Sequence, residues 1–238
     1  MSTILRVSLR LAVAGLAGLA VLAPALPAPA APAVPAVLSP AAAIPVQATA
    51  ADLSAAEREA LEAVEAYLDG LDTLEARFVQ VGDGGQMAEG TFYLKRPGRL
   101  RIEYDEEPHL VVADGVWLTY WDAELGQRSD APLGSTLAGF LVREDMDFGG
   151  EIMVTDVRLT DLGVQVDLVQ AADPGAGELT LDFDGRPDRG QEPVLRRWVI
   201  RDAQGARTEV ALLGITRGID LPNSLFRVPR ETGVGRSD

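Results

Sequence analysis

The sequence predicts a mainly β domain with a few helices, built as a curved antiparallel sheet with one apolar face under two amphipathic helices. Three observations carry this. Period-two alternation recurs in short segments between residues 74 and 213, as expected of strands buried on one face. Asp-Gly, Pro-Gly and Gly-rich clusters punctuate those segments, as hairpin turns require. Only two stretches, near 54–71 and 133–141, carry apolar residues at the three-and-four spacing of a helix.

The first fifty residues contain no acidic residue; Arg6 and Arg10 precede an apolar run over 11–23, closed by Pro24, Pro27 and Pro29. That is the pattern of a secretory signal, and the prolines end it short of the roughly 20 apolar residues that span a bilayer. Ala-x-Ala triplets at 28–30 and 48–50 offer two cleavage points. The expected organisation is a signal peptide over 1–30, a Pro/Ala linker over 31–51, one folded domain over 52–230 and a polar tail over 231–238. The domain is expected to be a monomer.

Ser54-Ala55-Ala56-Glu57 forms a capping box, and Leu61, Val64, Leu68 and Leu71 place an apolar stripe on the helix that follows, ending near Asp69-Gly70. The period then changes to two. Leu74, Ala76 and Phe78 alternate with Glu75, Arg77 and Val79, and Gly82-Asp83-Gly84-Gly85 turns the chain into a second strand, a predicted hairpin. Past Pro97-Gly98, Leu100, Ile102 and Tyr104 resume on one face. Further strands are predicted over 110–113, 116–121, 152–159, 164–169, 179–183, 194–201 and 208–213. Between them Leu133, Leu137, Phe140 and Leu141 fall at helical offsets, with Pro132 suited to a first turn and Gly134 and Gly139 weakening the helix. Such a sheet can bury its inner face on the helices or leave a pocket for a ligand, and the pattern alone does not choose.

Strict alternation places Arg96 on the face of Phe92 and Leu94, the apolar one. A cation there has two accounts: it snorkels from the strand end into water, or it finds buried acceptors. Lys95, the only lysine beside twenty arginines, takes the opposite parity and points outward. Tyr120 shares parity with Val116 and Leu118, and Trp121 with Trp117 and Thr119, so only one set can face inward.

Several chemistries are excluded or disfavoured. The chain has no cysteine, so neither a disulfide framework nor a thiol nucleophile is available, and it cannot itself carry a lipidated N-terminal cysteine. Without Arg6 and Arg10 the balance is 19 basic against 36 acidic residues, unsuited to nucleic acid or bare anionic membrane. His109 is the sole histidine, it sits at a loop-to-strand junction, and no Gly-x-Ser-x-Gly elbow accompanies it. Asp182-Phe183-Asp184-Gly185 opens like a calcium loop but lacks the glutamate at the twelfth position, and reads as a hairpin turn. Glu103, Asp105, Glu106 and Glu107 read as a solvated acidic corner. No catalytic residue, metal or cofactor is expected.

Taken in order, Phe78-Val79-Gln80, Gly90-x-Phe-x-Leu-Lys-Arg-Pro-x-x-Leu-Arg, Tyr104 with Pro108, Val112-Ala113-Asp114-Gly115-Val116-Trp117-Leu118, the 133–141 helix, Trp198, Asp202, Gly205 and the closing Leu225-Phe226-Arg227-Val228-Pro229 resemble the LolA family, periplasmic carriers of outer-membrane lipoproteins. The resemblance lies in the order of the pieces. It implies an unclosed antiparallel β-barrel, a half-barrel covered by a helical lid, whose interior receives acyl chains. It implies that Arg96 is a lid latch bonding lid backbone, with the 133–141 carbonyls the expected acceptors. It implies a lipid-binding cavity lined by Phe78, Phe92, Leu94, Leu100, Ile102, Tyr104, Leu137, Phe140 and Leu141. Leu94 and Ile102 stand where many members carry aromatics. Implied partners are acylated lipoproteins, an inner-membrane lipoprotein-releasing ABC transporter and an outer-membrane receptor, all at the periplasm. The alternative is a sensor or lipid-binding regulator on the same fold, which would ordinarily carry a second domain.

Overall fold

Helix α1 (Ala55–Asp69) begins as its capping box predicts: Ser54 Oγ accepts from the Glu57 amide at 3.3 Å, and the Ser54 amide donates to Glu57 Oε2 at 2.7 Å. Those bonds to Ser54 hold the Glu57 carboxyl below its ordinary pKa. Val64, Leu68 and Leu71 of the predicted stripe are buried, with Ala60 and Tyr67 beside them, and Leu61 packs partly buried against the same core. The computed structural model describes residues 53–228 apart from 107, 145 and 147; the signal, linker and tail expected of the sequence lie outside the described residues.

Eleven strands follow: β1 (Thr73–Val81), β2 (Met87–Lys95), β3 (Arg99–Tyr104), β4 (His109–Asp114), β5 (Trp117–Asp122), β6 (Gln127–Pro132), β7 (Ile152–Leu159), β8 (Gly163–Gln170), β9 (Gly177–Asp184), β10 (Val194–Asp202) and β11 (Arg207–Arg217). They form one antiparallel sheet in the order β6-β5-β4-β3-β2-β1-β11-β10-β9-β8-β7. The first and last strands pair at its centre, so the free edges, β6 and β7, are consecutive in sequence. No ladder joins them. A twisted sheet this wide curls on itself, and here it stops short of closure, the half-barrel expected of the sequence.

Strand β6 was not among the predicted strands. It lacks alternation, being exposed from Gln127 to Asp130 with only Ala131 buried. It is held by its ladder with β5 and by Asp130, which accepts from Thr119 Oγ1 and pairs with Arg128. Charge on an edge strand discourages pairing with another chain.

The predicted 133–141 helix is two pieces. Leu133–Ser135 is a single 3₁₀ turn, Thr136 is extended at φ −116° and ψ 150°, and α2 spans only Leu137–Leu141. The break is local chemistry: Thr136 Oγ1 donates to Leu133 O at 2.8 Å and caps α2 by accepting from the Gly139 amide at 3.1 Å. A Cβ on Gly139 would lie 2.3 Å from Leu133 O, so only glycine allows this close approach. The piece follows β6 and precedes β7 in the chain, its Ala138, Phe140 and Leu141 buried in the core of the inner face.

The outer face is covered too. Leu110 and Val112 pack with Leu221 and Phe226 of the segment after β11, flanked by Tyr93 and Trp121. Outward side chains fasten this strap: Thr73 Oγ1 donates to Ile219 O at 2.9 Å, Lys95 Nζ to Leu221 O at 2.6 Å, and Arg101 Nη1 to Leu225 O at 2.9 Å. The aromatics of β5 separate as parity requires, Tyr120 toward the inner core and Trp121 toward the strap. Truncating the 2 % exposed Phe226 to alanine removes the anchor of the strap. We expect Phe226→Ala to lose about 3 kcal/mol of unfolding free energy in urea titration; a loss under about 1 kcal/mol would mean that the strap is not packed.

Candidate functional site

Arg96 follows β2 directly, ahead of a cis bond to Pro97. Its amide donates to Asp72 O at 2.8 Å, and the Gly98 amide donates to Val142 O at 2.6 Å, just past α2. Gly98 has φ 79°, and a Cβ there would lie 2.8 Å from the Cα of Gly115, so the β2–β3 and β4–β5 turns touch. The hairpin tip is therefore fixed before its side chains act.

The guanidinium turns inward. Nε donates to Leu141 O at 3.0 Å, Nη1 donates to Leu68 O, and Nη2 is buried with no partner among the described residues. Leu141 closes α2 and Leu68 lies in the last turn of α1. Carbonyls at helix C-termini lack partners within their helix, and a cation there also meets the negative end of the longer helix. One side chain of the sheet thus binds both helices. The acceptor is, on one side, the carbonyl expected from the 133–141 segment; the Leu68 carbonyl was not expected. A second tie runs from α1 to the loop after α2 without Arg96, since Asp69 Oδ1 accepts from the Met146 amide at 2.9 Å.

Burial lowers the Arg96 pKa to about 10, opposed by the nearby charges of Asp69 and Asp72. The group therefore stays charged at neutral pH. Its folded pKa lies below its unfolded one, so the cost of burying the charge is present below about 10 and is relieved only as pH rises through that value. The guanidinium itself keeps its charge between pH 5 and 8.

The predicted cavity residues gather on one inner face. Phe78, Phe92, Leu94, Leu100, Ile102, Tyr104, Phe140 and Leu141 belong to a single buried cluster, and Leu137 opens α2, its side chain lying outside the described ones. Phe78 meets Tyr104 edge-on with ring centroids 5.4 Å apart, and Phe92 meets Trp198 at 5.3 Å. The Tyr104 hydroxyl, which an apolar interior would leave unsatisfied, donates to buried Gln80 Oε1 at 3.1 Å. Among the described residues these side chains pack on one another as one buried cluster. A small void beside Arg96, with a volume of about 10 Å³, is lined by Leu68, Leu71, Leu74, Phe92, Leu94, Leu141, Leu195 and Trp198 with Arg96 itself. That is room for one water molecule. A longer guest needs α2 to move.

The sequence places Leu68 and Leu71 on the helix stripe without assigning them to this wall, and it offers Trp198 only as one piece of the family resemblance. Their signal was the parity of Trp198 with Ile200 and the direction of the α1 stripe. A separate open groove of about 520 Å³ runs between α2 and the start of β7, past Thr136, Phe140, Arg143 and Ile152, with Arg143 paired to Glu151.

The other candidate groups find structural partners. Nδ1 of His109 lies 3.8 Å from Asp122 Oδ1, and the ring sits against Tyr120. Asp182 and Asp184 pair with Arg197 and Arg196, Glu103 with Arg101 and Asp105 with Arg77. Among the described residues no cluster of three or more ligating side chains could hold a metal, and no helix is long and apolar enough to cross a membrane.

Residues 69–229 match the sequence model of a family described as outer membrane lipoprotein carrier protein LolA. The chain is 27 % identical over 192 residues to the outer-membrane lipoprotein carrier protein of Methylococcus capsulatus, covering 76 % of this chain and 88 % of that one. It is 26 % identical over 182 residues to the protein of the same name from Methylobacillus flagellatus, covering 71 % and 84 %. Among solved structures, a LolA superfamily protein from Nitrosomonas europaea superposes with a TM-score of 0.44 at 12 % identity, covering 74 % of this chain and 99 % of that one. A chain of the Pseudomonas aeruginosa MucA/MucB complex gives a TM-score of 0.41 at 12 % identity, covering 74 % and 62 %.

Replacing Arg96 by leucine tests the geometry directly. The change removes both carbonyl bonds but also a buried charge, so global stability should change by less than about 1 kcal/mol. The amides of Gly98 and Met146, which bind across the lid, should exchange hydrogen about tenfold faster, while the amides of β9 and β10 keep their protection. Unchanged exchange at Gly98 and Met146 would show that the guanidinium does not hold the lid.

Proposed function

The chain belongs to the LolA family, and on that premise we propose that it is a periplasmic carrier which takes the acyl chains of lipoproteins released from the inner membrane and delivers them to the outer membrane. It works as a binding protein and not as an enzyme. The observation that supports this best is the pairing of a continuous apolar inner face with a cover whose end is held by a buried guanidinium.

The physics of the task explains both parts. Each acyl methylene removed from water contributes about 0.8 kcal/mol, so a chain of about fifteen methylenes represents about 12 kcal/mol. Unassisted crossing of an aqueous compartment is negligible at that cost, and a carrier must shield the chain. Shielding without opposition would make release equally slow. A closed state in which Phe140, Leu141 and their neighbours pack against the inner face competes with the guest and weakens its net binding. Arg96 sets how strongly, because its bond to Leu141 O is made only with α2 down, while its bond to Leu68 O anchors the guanidinium to α1.

In this reading Phe78, Phe92, Leu94, Leu100, Ile102, Tyr104, Leu137, Phe140 and Leu141 surround the guest once α2 has moved. The loading partner is an inner-membrane ABC transporter and the unloading partner an outer-membrane receptor. The signal segment at 1–30 brings the chain to the periplasm.

Depleting the protein from its host and separating the membranes tests the reading: outer-membrane lipoproteins should accumulate in the inner membrane, and correct sorting would overturn it. With Arg96→Leu in place of the wild type, acylated lipoprotein should copurify with the carrier in greater amount and transfer to outer-membrane vesicles should slow at least tenfold. Transfer at the wild-type rate would remove the latch role while leaving the carrier reading intact.

A further inference from the structure

We infer that the open groove between α2 and the start of β7 holds the stretch of polypeptide that directly follows the acylated residue of a carried lipoprotein, in extended form and recognised through its backbone. The inference rests on the carrier reading and adds the route by which the protein part of the guest leaves the interior.

The lid has two unlike sides. Toward the β2–β3 and β4–β5 turns it is stitched to backbone and latch: the Leu133 amide donates to Val116 O at 2.9 Å, the Gly98 amide to Val142 O at 2.6 Å, and Arg96 Nε to Leu141 O at 3.0 Å. Toward β7, Arg143 pairs with Glu151 over a groove of about 520 Å³ that both residues line. The Glu151 side chain is 80 % exposed, and an ion pair so open to water holds weakly. The groove is as large as an ordinary ligand cleft, about 300–1,000 Å³.

This groove adjoins the interior. Phe140 and Ile152 line it, and both also belong to the buried cluster of the inner face. Movement of α2 takes Phe140 with it and joins the groove to the space below. An acyl chain that enters that space stays bound to a polypeptide, and the polypeptide cannot follow it in, because each buried peptide group needs a hydrogen-bond partner that an apolar lining does not supply. The polypeptide has to pass the edge of the lid. The side toward β7 is the edge with room.

Its lining suits a backbone. Strand β7 ends the sheet, and Ile152, its first residue, pairs with Gln170 of β8, so the backbone groups that β7 turns away from β8 form a template for an added extended segment. The Gln170 side chain, also on the wall, carries an amide that both donates and accepts. Gly134, Gly150, Ala171 and Ala172 keep the walls low, and a Cβ on Gly134 would meet nothing within 4 Å. Arg143 and Glu151 already neutralise each other, so the groove selects no net charge. The segment is recognised as polypeptide and not by its sequence, which suits a carrier that serves more than one lipoprotein.

The test uses two probes with the same acyl part: N-palmitoyl-glycinamide, and the same chain on an uncharged peptide, N-palmitoyl-Gly-Ser-Asn-Ser-Ala-amide. Each is titrated below its aggregation threshold into the purified chain against a fluorescent palmitate analogue. The longer probe should bind about tenfold more tightly, as two backbone hydrogen bonds of ordinary net strength give, and reordering its peptide should change nothing. Ala172→Trp, at an exposed position, puts a ring into the groove and should bring the two probes to equal affinity, with N-palmitoyl-glycinamide unchanged. Equal Kd values on the wild-type protein, or a preference that survives Ala172→Trp, would overturn the groove assignment and leave the carrier reading standing. A preference that appears only when residues 231–238 are deleted would give the groove to the tail of this chain, and a dimer lost in Ala172→Trp would give it to a second copy; either ends the proposal. Failure of the palmitate analogue and both probes to bind would overturn the groove and the carrier reading together.

Discussion

The contact on which the rest of the structure depends is the guanidinium of Arg96 between Leu68 O and Leu141 O. An eleven-stranded sheet that stops short of closure leaves its apolar face without a lid on one side. Beside α1 the face is covered by the connection from β6 to β7, and that connection is poor material for a helix: one 3₁₀ turn, an extended Thr136 and five residues of α2. A helix of five residues has no stability of its own in water. It persists because its apolar side is buried and because something on the sheet holds its end.

That something is placed by the turn. Lys95 and Arg96 are neighbours on alternate faces, and both donate to backbone carbonyls far along the chain. Lys95 holds Leu221 of the outer strap while Arg96 holds Leu141 of the lid. The β2–β3 tip is thus gripped from outside and grips inward, and contact of Gly98 with Gly115 gives it a rigid seat. A latch on a loose loop would lose its bonds to chain entropy; one on a braced hairpin does not. The bracing also separates two energies. The strap contributes to global stability through Phe226 and Leu221, whereas Arg96 buries a charge at a cost and contributes chiefly to where the lid lies.

Much of this was legible in the sequence because alternation is a geometric signal. Parity alone put Arg96 on the apolar face, with snorkelling or buried acceptors both open, put Lys95 outward, split Tyr120 from Trp121, and gathered the inner-face residues on one side. What was not legible had no period to report. Strand β6 is polar over four residues because an edge needs no apolar face, so its pairing is visible only in the ladder with β5. The 133–141 stripe has correct helical offsets, yet Thr136 caps in its middle, and a threonine hydroxyl competes with helix wherever the backbone lets it. The strap over Leu110 and Val112 joins residues more than a hundred apart, a pairing that no local pattern encodes. The site followed the same division: its wall was readable, whereas its second latch acceptor, Leu68 O, depends on where α1 comes to rest.

The packing of the lid residues against the inner face gives the carrier reading its energetic form. Opening must displace Ala138, Phe140, Leu141 and Val142 from contact with the sheet. At about 1.5–3 kcal/mol for each large side chain uncovered, that opposes the guest by several kcal/mol. A single acyl chain brings about 12 kcal/mol. The guest therefore wins, but by a margin well below its full transfer energy, which is what a carrier needs if another protein is to take the chain away. A permanently hollow cavity of the same lining would retain the whole of that energy and give the guest up slowly. The close packing that makes this structure look like an ordinary hydrophobic core is, on this argument, the device that keeps binding reversible.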